Sequence, residues 1–320
     1  MTNNPQFQRP TLNLRGRKSP LTLTIGILVI LGAVFTAASG FYADWLWFKS
    51  VNFTSTWSTI LGTKAMLFVV IGLTTALFVM FNILLAYKRR PLYVPMTIEA
   101  DNLERYRSQI EPIRRGVFMA GFLALFYFAG TSGSTLWSTW LLFRNSTEFG
   151  VKDPQFNMDI SFFAFRLPFW QTLIGWGIST LVLSIIASVA VHYLYGGIRL
   201  QVREDRTTVA ARVQLSVLLG LVVLLKAVAY WFDRFALALK DSKLITGLTY
   251  TDVNAVLPAK AILTGIAIVC SLLFFANIVR RSWVLPAAGT ALLVVSSVLI
   301  AGLYPGAIQQ FQVKPSESSK

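Results

Sequence analysis

Charged residues, cysteine and histidine are all scarce in this sequence of 320 residues. Only 13% of the residues are charged, about half the share of roughly 25% that soluble globular proteins carry. The single cysteine, Cys270, excludes an internal disulfide and any paired-cysteine zinc or redox motif. The single histidine, His192, leaves very few ligands for a metal site. We therefore predict neither a cofactor nor a bound metal.

The apolar residues make up 55% of the chain and are gathered in long runs. A helix of about 20 apolar residues crosses the hydrocarbon core of a bilayer. Seven runs have this length, near Leu21–Phe41, Ala65–Tyr87, Gly116–Trp137, Pro168–Tyr195, Val213–Phe232, Ala261–Val279 and Val284–Tyr304. The sequence therefore predicts an all-α, polytopic transmembrane bundle over residues 21–304. A basic tail precedes it at residues 1–20, and a second tail follows at residues 305–320.

The basic residues between the predicted spans are divided unequally between the two sides of the membrane. One side carries seventeen lysines and arginines and a net charge of +11, whereas the other carries eleven and a net charge of +3. Cytoplasmic loops carry the basic excess in membrane proteins. We predict a multi-pass protein of the cell membrane with its N-terminus inside and its C-terminus outside. Topology accounts for the total charge of +15, so nucleic-acid binding is not predicted.

A cleaved signal peptide is the competing interpretation of the first span. Residues 15–18, RGRK, resemble its basic region, and Ala37-Ala38-Ser39 resembles a cleavage site. The apolar run is longer than the usual 7–15 residues of such a peptide, which favours a retained first span.

One cytoplasmic loop has the pattern of an amphipathic helix, near residues 99–111. Leu103, Tyr106 and Ile110 recur at helical spacing between charged residues, and Pro112 ends the pattern. Such a helix lies on the membrane surface. Its alternative role is docking to a cytoplasmic partner.

The stretch DPQFNMDISFFAFRLPFW, residues 153–170, is too polar to cross a bilayer and is rich in aromatic residues. Asp153 with Pro154 is typical of a helix start, and Asp159 is a candidate cap for a second turn. Further aromatic residues then recur on one helical face, at Phe162, Phe165 and Phe169. We predict an interfacial helix near residues 153–167 that leads into the fourth span, with an aromatic substrate groove as the alternative.

The last long outer loop contains the stretch YTDVNAVLPAK at residues 250–260. Asp252 or Asn254 is a candidate N-cap for the sixth span. The alternative is a cation site, although these two side chains fall short of the six to eight oxygen ligands that calcium takes.

Few ionisable residues fall inside the predicted spans. Lys226 is the clearest charge, and its stem can extend to the outer interface or its ammonium can pair with Asp44 or Asp233. His192 is expected to make hydrogen bonds within the bundle, together with Asn82 and Asn277 near the same helix ends. No nucleotide-binding, metalloprotease or paired-cysteine motif is present, so no enzyme activity is predicted.

Three motifs together resemble a bacterial family: the two stretches at 153–170 and 250–260, and a closing segment from Tyr304-Pro305 to Pro315. The Asp233-Arg234-Phe235 triplet also fits. The family is the uncharacterised integral membrane protein family 0182, which is abundant in actinobacteria. The resemblance implies a seven-span region followed by a large extracytoplasmic domain, and no established activity. This chain ends at Lys320, where the family would continue, so we expect either a truncated chain or a natural short form.

The sequence leaves two hypotheses for function. The first is a membrane-embedded scaffold of the cell envelope, a complex subunit that presents an aromatic-rich extracytoplasmic surface to an outer domain or to a protein partner. The residues predicted for that surface are Asp153, Pro154, Phe156, Phe162, Phe165, Trp170, Tyr250, Asp252 and Asn254. The alternative is a transporter or channel subunit that uses Lys226 and other polar residues of the bundle, with Asp44 and His192 as candidates.

Overall fold

The structure, a computed structural model, describes residues 20–91, 98–201, 206–241, 247–280 and 284–315. Seven helices within these ranges are long and apolar enough to cross a membrane, which confirms the all-α class and the number of candidate spans. Most of the predicted basic tail, residues 1–19, and residues 316–320 of the second tail lie outside the described residues.

Ten α-helices form within the described ranges. They are α1 (Pro20–Ser50), α2 (Thr54–Lys88), α3 (Ile98–Ile110), α4 (Arg114–Ser134), α5 (Trp137–Arg144), α6 (Leu167–Leu194), α7 (Val209–Ala236), α8 (Leu257–Arg280), α9 (Val284–Ser296) and α10 (Tyr304–Ile308). The short α3 corresponds to the predicted amphipathic helix, and a single 3₁₀ turn at Glu111–Ile113 connects it to α4.

The chain divides into two compact units, the first ending at Gly62 and the second beginning at Thr63. In the first unit, α1 runs into a tight turn in which Asn52 has a positive φ of 59°. Asparagine tolerates this left-handed conformation better than most residues. The Phe53 amide donates to the Phe48 carbonyl at 2.9 Å, and Phe41 meets Trp57 edge to face at 5.0 Å. In the described part of the first unit, α1 and the first turns of α2 are therefore joined by this tight turn and packed together through Phe41 and Trp57.

Within the second unit, α7 packs against both α6 and α8, and α9 packs against α8. Helix α2 crosses α4 where Gly72 and Gly130 face each other. A Cβ at Gly72 would lie 2.6 Å from the Phe126 carbonyl oxygen, and one at Gly130 would lie 2.8 Å from Phe68. Small residues let membrane helices approach this closely, so these two glycines fix the crossing.

Four segments of π-helix among the described residues share one sequence feature, a proline two residues after the segment ends. The segments are Phe162–Arg166, Asp252–Val256, Ser297–Leu303 and Gln309–Val313, followed by Pro168, Pro258, Pro305 and Pro315. In each case the residue before the proline donates its amide to the carbonyl five residues earlier. A proline ring clashes with the carbonyl four residues before it. The wider π turn gives the ring room without ending the helix.

The prediction of an interfacial helix near residues 153–167 is wrong for the first half of that range. Residues 154–156 form one isolated turn, and the helix begins only at Ile160. Asp153 explains the turn, because its Oδ1 accepts the amides of Gln155 and Phe156 at 3.0 and 2.7 Å. Asn157, with a φ of 54°, then prevents the turn from continuing as a helix.

Two other boundaries differ from the prediction. The seventh span does not end at Tyr304, because helical structure continues from Val284 through Pro315. Neither Asp252 nor Asn254 is the N-cap of the helix that leads into the sixth span. Thr249 is the cap, because its Oγ1 accepts the Asp252 amide at 3.2 Å while the Asp252 carboxylate accepts the Thr249 amide at 3.0 Å. This reciprocal pair is a capping box.

Candidate functional site

The predicted outer motifs meet at one end of the second unit, around the C-terminus of α7. The ring of Phe235, in the last turn of α7, lies 5.2 Å from Phe156 and 5.5 Å from Phe162. One turn earlier, Phe232 stacks with Trp170 at 6.1 Å. The aromatic stretch at 153–170 therefore packs against the end of α7.

Two ion pairs connect the same end of α7 to the start of the sixth span. Asp233 accepts from Lys260 Nζ at 3.1 Å, and Asp252 accepts from Lys240 Nζ at 2.7 Å. The Asp252 side chain is only 1% exposed. Its second oxygen accepts from the Thr249 hydroxyl at 2.7 Å, so lysine and threonine occupy the oxygens that a cation site would need.

The third motif joins this end through one side-chain hydrogen bond. The hydroxyl of Thr251 donates to Oε1 of Gln309, which lies 58 residues further along the chain. Helix α10, which contains the Tyr304-Pro305 pair, also packs against the π segment Asp252–Val256. All three motifs are therefore linked to one another within the second unit, either directly or through α7.

Asp159 organises the loop that carries the first motif. Its carboxylate accepts the amides of Phe149, Gly150 and Ser161 at 3.1, 2.8 and 2.8 Å. Hydrogen bonds from the Ser161 hydroxyl and from these amides lower the pKa of the Asp159 carboxyl from 3.8 to about 2. The prediction that Asp159 caps a helical turn is confirmed, because the helix begins at Ile160 and the Ser161 amide is the one capped.

The predicted aromatic face does not form a single groove. Phe162 contacts Phe235, Phe165 contacts Phe149 edge to face at 5.5 Å, and Phe169 stacks on Phe143 of α5 at 3.9 Å. The three rings thus pack against three different segments of the chain. They hold the start of the helix in place, and this packing favours a structural role for the aromatic face over a substrate groove.

The predicted surface residues separate into an exposed group and a supporting group. Pro154, Asn254, Trp170 and Tyr250 are exposed, the last two at 37% and 61%. Partly buried or buried residues support them from beneath, namely Asp153, Phe156, Phe162, Phe165 and Asp252. Asp252 in particular cannot contact a partner directly, because its buried carboxylate is already bonded within the protein.

Arg234, the centre of the Asp-Arg-Phe triplet, adds a cation to this end. Its guanidinium carbon lies 4.5 Å from the centre of the Trp231 ring, a cation–π arrangement. Trp231 is itself 46% exposed. We call the exposed residues Pro154, Trp170, Trp231, Tyr250 and Asn254 the motif surface.

The predicted pairing of Lys226 with Asp233 does not form among the described residues. Lys226 is exposed on α7, and its Nζ lies 4.9 Å above the ring of Tyr230, one turn closer to the motif surface. Asp233 bonds to Lys260 instead. Asp44 belongs to the first unit and is exposed there. The direction of Lys226 agrees with a stem that extends towards the interface.

A buried polar cluster lies near the opposite end of the spans, and its centre is a residue that the sequence reasoning missed. Gln214 accepts from His192 Nε2 at 3.0 Å and donates to the Asn82 carbonyl and the Ser188 hydroxyl at 3.0 and 3.1 Å. Gln214 thereby connects three helices, α2, α6 and α7. Gln214 joins His192 and Asn82 of the predicted belt, and the third member, Asn277, donates to Ser216 of α7 at 2.7 Å.

Within the described ranges, seven helices are long and apolar enough to cross a membrane, and buried hydrogen bonds join several of them. This combination is typical of multi-pass helical membrane proteins. The chain belongs to the uncharacterised protein family UPF0182, which matches residues 21–320. No solved structure is similar to it.

Curated relatives from actinobacteria are similar over nearly the whole chain. A UPF0182 protein of Streptomyces coelicolor is 48% identical over 317 residues, which are 98% of this chain and 31% of the relative. A UPF0182 protein of Nocardioides is 45% identical over 317 residues, which are 99% of this chain and 32% of the relative. This chain therefore spans about a third of the length of the curated relatives that it matches.

Proposed function

We propose that this protein is a membrane-embedded interaction module of the bacterial cell envelope without catalytic activity. Its motif surface lies on the extracytoplasmic side and binds an outer domain or a protein partner. The observation that supports this proposal is the convergence of three sequence-distant motifs at one end of α7, through Phe235, the Lys240–Asp252 pair and the Thr251–Gln309 hydrogen bond.

The chemistry of the motif surface suits protein binding. Tryptophan, tyrosine and arginine are enriched in protein interfaces and dominate their binding energy. Here Trp170, Trp231 and Tyr250 are exposed above a base held by ion pairs and stacked rings. A base that is already ordered loses little conformational entropy when a partner binds. The length of the relatives supports an outer domain as one such partner, since about two thirds of each lies beyond the matched region.

Transport remains the alternative hypothesis, and Lys226 is the residue that carries it. In a transporter, Lys226→Met abolishes substrate flux in reconstituted vesicles and leaves assembly unchanged. In an interaction module, the same substitution leaves binding unchanged, because the ammonium lies over Tyr230 and not within the motif surface.

Site-specific photocrosslinking in native membranes tests the proposal. Tyr250 and Tyr106 form a matched pair, since both are tyrosines that are 61% exposed, and Tyr106 lies on α3. A photoreactive phenylalanine analogue replaces each in turn. We expect a discrete protein adduct from position 250 and none from position 106, with the attached peptide identified by mass spectrometry. Equal adducts from both positions, or lipid adducts alone from position 250, would contradict the proposal.

A further inference from the structure

A second candidate site lies where α2, α3 and α6 end, away from the motif surface. Here the structure contains a cavity of about 400 Å³ lined by Arg90, Pro91, Glu104, Arg107, Ser108, Glu111 and Tyr195. Its volume is within the range of roughly 300–1,000 Å³ that is typical of small-molecule sites. Its lining is mainly charged or polar, unlike the apolar grooves between the spans.

The carboxylates of this cavity already have partners. Glu111 accepts from the hydroxyls of Tyr87 and Tyr195 at 2.8 and 3.3 Å, and also from Arg114. Glu104 accepts from Arg107 Nη1 at 2.9 Å. The acceptors of the protein are therefore largely occupied by its own donors.

One guanidinium group of the lining retains a buried donor without an acceptor, and a second is held mainly by aromatic rings. Nη2 of Arg107 is buried and has no hydrogen-bond partner within the described ranges. Arg90, whose side chain is 40% exposed, forms a long ion pair with Glu111 at 3.9 Å. Its guanidinium carbon lies 4.3 and 5.3 Å from the ring centres of Tyr87 and Tyr195. The two rings hold this cation beside the cavity and leave its N–H groups open to solvent or to a ligand.

Two carboxylates, those of Glu104 and Glu111, serve three guanidinium groups. Arg90 and Arg107 line the cavity, whereas Arg114 bonds to Glu111 from outside the lining. These five groups therefore include one more cation than anions. A buried donor without an acceptor costs free energy, and a guanidinium satisfies its N–H groups best with a carboxylate or phosphate. The missing group is therefore an anionic acceptor.

We propose that this cavity binds a phosphate group, the chemistry shared by anionic lipid headgroups and free inorganic phosphate. Arg90 and Arg107 donate to the phosphate oxygens, while Glu104 and Glu111 hold the two arginines in place. Pockets with basic side chains between the ends of membrane helices are typical headgroup sites. The inference is independent of the motif surface, because no residue is common to the two sites.

Binding is measured on the purified, full-length chain in neutral detergent, as the shift of its unfolding temperature with added ligand. The probes are phosphatidylglycerol, zwitterionic phosphatidylcholine and inorganic phosphate. We expect phosphatidylglycerol or inorganic phosphate to stabilise the protein and phosphatidylcholine not to do so. Tighter binding of phosphatidylglycerol than of inorganic phosphate identifies a lipid site, and equal binding identifies a site for phosphate itself.

Matched arginine substitutions separate the cavity from the general charge of this surface. Arg90→Gln and Arg107→Gln should each weaken binding roughly tenfold or more, as expected for a lost charge-assisted hydrogen bond. Arg89→Gln and Arg105→Gln remove the same charge from neighbouring exposed residues that do not line the cavity. At physiological salt these controls should change the affinity by no more than about threefold.

Two results would overturn the proposal. One is equal stabilisation by phosphatidylcholine and phosphatidylglycerol, with no stabilisation by inorganic phosphate. The other is an equal loss of affinity in the cavity variants and in their controls. Arg107 also donates from Nε to the Leu194 carbonyl, so Arg107→Gln can impair folding. Arg90 has no such backbone bond from its side chain within the described ranges, and Arg90→Gln alone therefore decides the result.

Discussion

Nζ of Lys240 lies 2.7 Å from Oδ1 of Asp252, a carboxylate whose side chain is 1% exposed although that of the lysine is 47% exposed. The pair joins the segment after α7 to the π turn before α8. A carboxylate buried this completely needs partners for its oxygens. Lys240 and Thr249 supply them, so the position of the motif surface depends on this contact.

Replacing Lys240 with methionine should therefore destabilise the protein. The lysine is half exposed, which reduces its contribution by solvent screening, so we expect a loss of about 1–2 kcal/mol in the free energy of unfolding. The measurement is equilibrium unfolding in mixed micelles. Lys152→Met is the control, since Lys152 is exposed and forms no ion pair with the described residues. An equal effect of the two substitutions would show that the pair contributes nothing.

Replacing Gln214 with leucine should also destabilise the protein, for a different reason. The substitution keeps the approximate volume but leaves His192 Nε2, the Asn82 carbonyl and the Ser188 hydroxyl without this partner. The expected cost is about 1–3 kcal/mol. The same unfolding measurement checks it, with Gln310→Leu at an exposed position as the control. A neutral Gln214→Leu would mean that the cluster rearranges at no cost.

Two glycines of α4 should respond differently to replacement by alanine. Gly130→Ala should destabilise by about 1–3 kcal/mol, because the new methyl group would lie 2.8 Å from Phe68. At Gly121 the nearest atom is 4.0 Å away, so alanine there should be neutral or stabilise by up to about 1 kcal/mol through its higher helix propensity. Thermal unfolding of both variants checks the prediction. Equal shifts would argue against a close crossing of α2 and α4.

The loop at residues 149–161 should loosen only in strong acid. The pKa of Asp159 is lowered to about 2 from 3.8, so the folded loop binds fewer protons than the unfolded chain does. Its contribution to stability is complete above pH 3.8 and is lost as the pH falls through about 2. We expect faster amide exchange of Phe149 and Gly150 over that interval, after correction for the intrinsic rates. In the Asp159→Asn variant this pH-dependent change in exchange rate should disappear. A change that persists would show that another group titrates.

The predicted orientation can be tested by cysteine labelling. Cys270 is the single cysteine and is buried, so a Cys270→Ala background carries no thiol. A membrane-impermeant maleimide added to intact cells should label Asn254→Cys. Arg105→Cys should react only after the inner membrane is opened, because α3 belongs to the side with the basic excess. Labelling in the reverse order would place the motif surface in the cytoplasm.

Local sequence patterns predicted some features of the candidate site and missed others. The Asp159 cap was predictable because a cap and its amide are close neighbours in the chain. The central role of Gln214 was not, since a glutamine near a helix start carries no signal of burial, and its partner Asn82 is 132 residues away. Thr249 was missed as a cap because Asp252 and Asn254 are equally good candidates from the local sequence. That Asp252 is the buried one of these two residues depends on its ion pair with Lys240.

The sequence by itself determined the seven candidate spans and the all-α class, because a bilayer requires long apolar runs whose backbone hydrogen bonds close within each helix. It also set the π turns, since a proline inside a helix must be given room. Only the tertiary structure decided which loop ends meet around Phe235, how the aromatic residues of the first motif divide among three segments, and that Arg90 and Arg107 border one cavity. These features depend on contacts between segments far apart in the chain, and no local period encodes them.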